Sequence, residues 1–186
     1  MPRFAAVENR PPVADERCLV EKLSEYYDAE NGGFGRGQKF PSHSTMLYLL
    51  YQLSIDDSPS IKTICIKTLD AMRLKGLNDH LQGGIFRYCV DNEWTIPHFE
   101  KMLYDQAMAL WVYSLASRVI GNEEYKKMAE KILRCLEESF KADGLYISAH
   151  DADTEHVEGA TYLLSYEQLK DKLLPEELSR FSETFY

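Results

Sequence analysis

The stretch WTIPHFEKMLYDQA, residues 94–107, places His98, Glu100 and Asp105 close together along the chain. An imidazole can take or give a proton near neutral pH, and a neighbouring carboxylate can assist it. These three residues are therefore the candidate catalytic groups. Each also has a structural interpretation. His98 could help cap a helix, Glu100 could stabilise the positive end of the helix dipole, and Asp105 could pair with a buried cation.

The loop before this stretch carries residue types that suit a sugar pocket. Its side chains of interest are Arg87, Tyr88, Asp91 and Trp94. Aromatic rings stack on sugar faces, while an arginine and a carboxylate orient hydroxyl groups. The sequence GGIFRYCVDNEWT also predicts a β-hairpin with Asp91 and Asn92 at its turn. We predict that these side chains bind substrate; the alternative is a loop folded on its own side chains.

Two further segments supply candidate substrate-binding residues. Lys39, Phe40 and His43 lie in KFPSH, which resembles the approach to His98 one repeat earlier. Asp151 and Asp153, two residues apart on an extended segment, could act as paired carboxylates. The alternative for these aspartates is a solvated turn. The acidic run in which they lie, residues 150–158, lacks the spacing of a calcium loop. The sequence predicts no metal and no cofactor.

Helices must position these residues. Apolar spacing, caps and glycine stops predict five helices. They run from about Asp15 to Asp28, from Ser42, from the Ser58–Pro59 pair to Gly76, from Pro97 or His98 to Gly121, and from Asn122. GLYIS (144–148) and ATYLLS (160–165) are predicted strands, and Ser165 and Pro175 are predicted to open two more helices.

Amphipathic helices alternate with helices that are apolar on nearly all sides, which predicts an outer and an inner layer. A glycine–aromatic turn recurs as GGF at 32–34, GGIF at 83–86 and DGLY at 143–146. Repeats of this kind indicate stacked hairpins whose long loops gather at one end. We therefore predict an all-α protein, a partial (α/α)6 toroid of the six-hairpin glycosidase type with short β-hairpins in its loops.

Composition narrows the function classes. The chain has 186 residues and a net charge of −9 without a basic cluster, which argues against nucleic acid and anionic membranes as partners. The longest apolar runs are far shorter than a membrane span, and no signal peptide is evident. We expect a cytoplasmic protein. The scattered residues Cys18, Cys65, Cys89 and Cys135 are expected to be buried, reduced thiols.

Three separated motifs carry a family resemblance: GGFGRGQKFP, HLQGGIFRYCVDNEWTIPHFEKMLYDQA and DADTEHVEGATYLLSYEQL. The chain resembles the spermatogenesis-associated, YyaL-type proteins, in which a thioredoxin-like domain precedes a six-hairpin toroid. That toroid is similar to N-acylglucosamine 2-epimerases and six-hairpin glycosidases. The resemblance implies that residues 1–186 are a single toroid fragment, with the thioredoxin-like domain and the remaining hairpins of the family absent from this sequence.

The expected function is carbohydrate-related. A pocket at the loop end would support sugar epimerisation or glycoside hydrolysis, with His98 transferring a proton and Glu100 or Asp105 assisting. The alternative is a non-catalytic binding module that works with a thioredoxin-like partner domain. A third interpretation is a partial ring that acts only after self-association. The expected partners are thus a small-molecule sugar, a thioredoxin-like domain or a second copy of the chain.

Overall fold

The computed structural model describes residues 16–185, and helices dominate it. The α-helices are α1 (Glu16–Tyr26), α2 (His43–Ile55), α3 (Pro59–Leu74), α4 (Leu103–Ile120), α5 (Glu123–Cys135), α6 (Tyr166–Lys172) and α7 (Pro175–Phe185), and a π-helical turn, Leu136–Phe140, continues α5. The strands are β1 (Tyr88–Cys89), β2 (Pro97–His98), β3 (Lys101–Met102), β4 (Lys141–Ala142), β5 (Leu145–Tyr146), β6 (Ala149–His150), β7 (Asp153–Thr154) and β8 (Val157–Glu158). Each strand is only two residues long, so the strands fix loops and do not build a layer.

The core lies among α2, α3, α4 and α5. Helix α4 packs against both α2 and α5, and the Tyr113 hydroxyl donates a hydrogen bond to the Leu69 carbonyl of α3 at 2.9 Å. Helix α5 buries a single stripe, as predicted, with charged residues opposite. The helices predicted to form the inner layer, α2 and α4, are only partly buried. Tyr51 on α2 is 56% exposed and Trp111 on α4 is 60% exposed, so each helix also presents apolar surface to solvent.

Local signals at several helix ends are confirmed. The Asn122 side chain accepts a hydrogen bond from the Glu124 N–H at 3.0 Å and so caps α5. Ser165 and Gln168 form a reciprocal capping box at the start of α6. Ser58 precedes α3 as predicted, but its hydroxyl contacts Ser60 and makes no capping hydrogen bond. The predicted helix start at Asp15 lies outside the described residues.

The predicted start of the fourth helix is wrong, because α4 begins at Leu103 and not at Pro97 or His98. The intervening residues are extended: β2 pairs with β1, which sets His98 opposite Tyr88, and β3 pairs with β6. Proline has no N–H to donate and favours an extended residue before it, which suits this hairpin. His98 and Glu100 therefore do not lie in the first turn of a helix. The helix dipole does not stabilise a neutral His98 or an ionised Glu100 in the way that such a position would allow.

The acidic segment forms a hairpin that the sequence did not predict. Strands β7 and β8 are joined by Glu155 and His156, which have φ angles of 54° and 65°. Two left-handed residues in a two-residue loop match the twist of paired strands. The predicted strand 160–165 is instead a turn, in which the Tyr162 and Leu163 N–H groups donate to the Gly159 carbonyl. The predicted strand 144–148 is present as β5, which pairs with β4.

Three of the four cysteines can be compared with their prediction. Cys65, Cys89 and Cys135 are buried and form no disulfide bond, as expected. Burial raises the pKa of the Cys65 and Cys89 thiols to about 12, which keeps them protonated. The Cys18 side chain lies outside the described part of the structure. None of the described helices has the length and apolar character to cross a membrane.

Candidate functional site

A stack of three rings lies where β1 meets its two neighbours. Lys39 and Cys89 exchange backbone hydrogen bonds on one edge of β1, and β2 pairs along the other edge. This arrangement places Phe40 and His98 on either side of Tyr88, with ring centroids 4.8 Å and 5.0 Å from the Tyr88 ring. Because Phe40 and His98 both stack on the Tyr88 ring, Tyr88 holds these two side chains in place. Phe40 is 47% exposed and offers the open aromatic face.

An ion pair stands beside the stack. The Arg87 guanidinium contacts the Glu100 carboxylate at 2.7 Å, and the Arg87 N–H also donates to the Glu100 carbonyl at 2.8 Å. The hydrogen bond to Glu100, with a smaller contribution from Tyr104, raises the pKa of Arg87. The Nε2 atom of His98 lies 3.9 Å from the same carboxylate, which is beyond hydrogen-bonding distance. Arg87, His98 and Glu100 are thus brought together.

Glu158 completes this group, although the sequence placed it only in an acidic run. Its Oε1 atom lies 2.6 Å from Nδ1 of His98. We refer to the set as the His98 cluster, which consists of Phe40, Arg87, Tyr88, His98, Glu100 and Glu158. No local signal marks Glu158 for this role, because its partner lies 60 residues earlier in the chain.

Asp105 and His43 lie apart from this cluster. They form a buried pair between α4 and α2, with Nε2 of His43 3.3 Å from Oδ1 of Asp105 and exposures of 9% and 5%. Arg87 and Lys101, which precede Asp105 in the sequence and could have supplied a cation to pair with it, contact Glu100 and Asp79 instead. The structure thus places Asp105, a predicted catalytic group, and His43, a predicted substrate ligand, in a buried pair that joins two helices.

Three predicted substrate ligands have structural roles. Lys39 is fully buried, and its ammonium donates to Asp28 at 2.8 Å and to the Gly35 carbonyl at 2.9 Å. Trp94 is fully buried, and its Nε1–H donates to the Gly32 carbonyl.

Asp91, the third of these, accepts backbone hydrogen bonds from Glu93, Thr95 and Ile96 within its own turn. Burial would raise the pKa of this carboxyl, but the hydrogen bonds outweigh burial and lower it. Asp91 is thus the residue that closes the predicted hairpin turn.

The ion pair between buried Lys39 and partly exposed Asp28 predicts a pH dependence of stability. Burial alone would raise the Asp28 pKa, but hydrogen bonds from Lys39, Asn31 and Glu30 hold it well below its usual range. The stabilisation is therefore complete above the unfolded-state pKa of about 4 and is lost as the pH falls below it. The free energy of unfolding of wild type should exceed that of Asp28→Asn at neutral pH, and this difference should shrink on acidification. Urea denaturation at a series of pH values measures it. An equal difference at every pH would contradict the prediction.

Asp151 and Asp153 line a different space. They border a cavity of about 360 Å³, together with Gln82, Lys101, Ser139, His150, Ala152, Thr154, Thr161 and Tyr162. No member of the His98 cluster lines this cavity. Among the described residues, no group of three or more histidine, cysteine, aspartate or glutamate side chains could hold a metal ion.

Comparison with known sequences finds relatives that are 37–38% identical to the chain. No family model matches the chain. It is 38% identical over 188 residues to spermatogenesis-associated protein 20 of Rattus norvegicus and 37% identical over 180 residues to that of Homo sapiens. Over nine-tenths of its length the chain is similar to a part of spermatogenesis-associated protein 20. The rat alignment covers 93% of this chain and 23% of the relative, so the chain spans less than a quarter of that protein. A shorter match, 37% identical over 62 residues, links 33% of this chain to 16% of cellobiose 2-epimerase of Bacteroides fragilis.

Several solved structures share the fold of the chain. A sugar epimerase from a ruminal bacterium gives a TM-score of 0.64 at 20% identity, covering 72% of this chain and 37% of that one. Cellobiose 2-epimerase from Bacillus thermoamylovorans B4167 gives 0.64 at 14% identity, covering 90% and 53%. A D-mannose isomerase gives 0.59 at 15% identity, covering 97% and 51%. The helical architecture is thus that of sugar epimerases and isomerases.

Proposed function

We propose that the described helices form part of an (α/α)6 toroid and that the His98 cluster belongs to a sugar-binding site at its loop end. The fold supports this proposal, because the chain aligns with about half of an epimerase and of an isomerase that act on sugars. The observation that carries it is the His98 cluster itself, in which an imidazole, a guanidinium and an exposed ring lie together on one surface.

The chemistry of the cluster favours epimerisation or isomerisation over glycoside hydrolysis. Hydrolysis requires two carboxylic groups on either side of the scissile bond, one of them free to attack or to activate water. Glu100 and Glu158 are the carboxylates at His98, and each is already bonded, to Arg87 and to His98. Moving a proton on a carbon beside a carbonyl requires one base and a group that stabilises the resulting oxyanion. His98 supplies the base and Arg87 the cation, while Phe40 stacks on the sugar ring.

Deuterium exchange provides the direct test. Candidate aldoses and ketoses are incubated with the chain in deuterium oxide, and loss of the proton beside the carbonyl is followed by NMR. We expect exchange with wild type and a decrease of about 10²–10⁴-fold in His98→Ala, because the base is removed. His80→Ala, which alters an exposed histidine outside the cluster, is the matched control and should retain the wild-type rate. Exchange that persists in His98→Ala would eliminate His98 as the base.

A second candidate function, an interaction module, draws support from α4. Tyr104 and Trp111 lie two helical turns apart on the same face and are 52% and 60% exposed. Exposed aromatic surface of this kind is typical of a packing interface. The partner would be a second copy of the chain or a thioredoxin-like domain. Sedimentation velocity distinguishes the cases: a concentration-dependent dimer that Trp111→Lys dissociates supports self-association, whereas a monomer at all concentrations contradicts it.

A further inference from the structure

Residues 158–159 pack against residues 98–99, which lie far from them in the chain. Glu158 of β8 contacts the imidazole of His98, and the next residue, Gly159, lies against the ring of Phe99. A Cβ atom at position 159 would come within 2.6 Å of two atoms of the Phe99 ring. Gly159 also has a φ angle of 72°, which glycine adopts without strain. Only a residue without a side chain lets β8 approach closely enough for Glu158 to reach His98.

The hairpin that presents Glu158 is held on several sides. The Gly159 N–H donates to the Ala152 carbonyl at 2.9 Å, which closes the base of the hairpin. Beyond Gly159, the Tyr162 ring stacks on Phe99 at 5.2 Å and meets the edge of Phe86 at 5.1 Å. Because Phe99 directly follows His98, these contacts fix Glu158 relative to the imidazole.

The hydrogen bond determines which ring nitrogen carries a proton. An ionised carboxylate can only accept a hydrogen bond, so the 2.6 Å contact requires the proton to be on Nδ1 of His98. The other nitrogen, Nε2, is the one that faces Glu100 at 3.9 Å, and that carboxylate is bonded to Arg87. In the neutral ring the lone pair is thus on Nε2, on the side of the Arg87 guanidinium.

We propose that Glu158 is a positioning residue that holds His98 in the Nδ1–H tautomer and directs Nε2 as the proton-transferring atom. The orientation of an imidazole by a carboxylate on its second nitrogen is a general way to prepare a histidine for acid–base work. The catalytic consequence depends on the proposed function, whereas the tautomer can be measured without any substrate.

The tautomer is read from long-range ¹H–¹⁵N correlations of His98 at alkaline pH, where the imidazole is neutral. Wild type should show the Nδ1–H form. Glu158→Gln should retain it, because the amide oxygen still accepts, whereas Glu158→Ala should shift His98 toward the Nε2–H form. Glu155→Ala is the matched control, since Glu155 lies in the turn of the same hairpin and is exposed; its His98 signals should match wild type. An Nε2–H form in wild type, or no change in Glu158→Ala, would overturn the inference.

The same variants separate this inference from the proposed function. If the chain exchanges a sugar proton, Glu158→Ala should lower kcat by at least about tenfold and leave KM nearly unchanged, since Glu158 acts through His98. An unchanged kcat would overturn the catalytic part of the inference. A tautomer that changes as expected, in a chain that exchanges no sugar, supports the assignment of Glu158 and contradicts the proposed function alone.

Discussion

Replacing Asp79 with asparagine should lower the free energy of unfolding by about 3–5 kcal/mol. The Asp79 carboxylate contacts the Lys101 ammonium at 2.6 Å, and each side chain is only 3% exposed. Its other oxygen accepts the N–H groups of Leu81 and Gln82. Asparagine can retain those two hydrogen bonds, but it then turns its amide NH₂ toward the ammonium. The expected loss of unfolding free energy therefore arises because the buried Lys101 ammonium is left without its counter-charge.

Urea denaturation of matched variants tests this expectation. Asp57→Asn is the control, because Asp57 pairs with Lys62 at 3.3 Å but is 79% exposed, and exposed pairs contribute about 0–1 kcal/mol. Combining Asp79→Asn with Lys101→Met should be less damaging than Asp79→Asn alone, since asparagine keeps the hydrogen bonds from Leu81 and Gln82 and methionine removes the unpaired buried charge. Similar losses of unfolding free energy for Asp79→Asn and Asp57→Asn would show that the buried pair contributes no more to stability than the exposed pair.

Signals confined to one segment of sequence predicted local structure well. Asn122 and Ser165 cap their helices because a cap needs only a short polar side chain and the next three residues. The single stripe of α5 was equally visible, since the helical period is a property of the segment alone. The hairpin around Asp91 was also predicted, from turn residues between two short strands.

Pairing between distant segments is what the sequence could not supply. Pro97 and Glu100 carry the signature of a helix start, yet β2 and β3 form there because β1 and β6 are available as partners. The role of Glu158 depends on a fold that carries it to His98 across 60 residues. The burial of Lys39 and Lys101 could not be predicted either. The residues around each lysine do not show that a carboxylate from another loop will pair with it.

The predicted equivalence of two histidines shows the same limit. Pro41 with His43 and Pro97 with His98 look like one repeated entry into an inner helix. His43 is indeed the first residue of α2, and it pairs there with buried Asp105. His98 instead lies in a strand and stacks on Tyr88. Similar sequence thus leads to a buried interhelical contact in one place and a partly exposed cluster in the other.

Trp94→Ala should be the second severe substitution, with a loss of about 3–5 kcal/mol in the free energy of unfolding. Trp94 was predicted to stack on a sugar, but its side chain is fully buried. Its ring packs on Gly33, where a Cβ would come within 2.5 Å of Cζ2, and its Nε1–H donates to the Gly32 carbonyl at 3.2 Å. Truncation would leave a large cavity and an unpaired carbonyl. Trp94→Phe should cost less, because a ring still fills most of the space.

The other tryptophan provides the control that makes this result interpretable. Trp111 is 60% exposed, so Trp111→Ala should change the free energy of unfolding by less than about 0.5 kcal/mol when measured on dilute, monomeric protein. The Trp111→Ala variant also isolates the Trp94 fluorescence, which should resist acrylamide quenching until the chain unfolds. Two results would contradict the burial of Trp94: efficient quenching of its fluorescence in the folded state, or a loss of unfolding free energy in Trp94→Ala no larger than in Trp111→Ala. An exposed Trp94 would be free to stack on a sugar, as the sequence predicts.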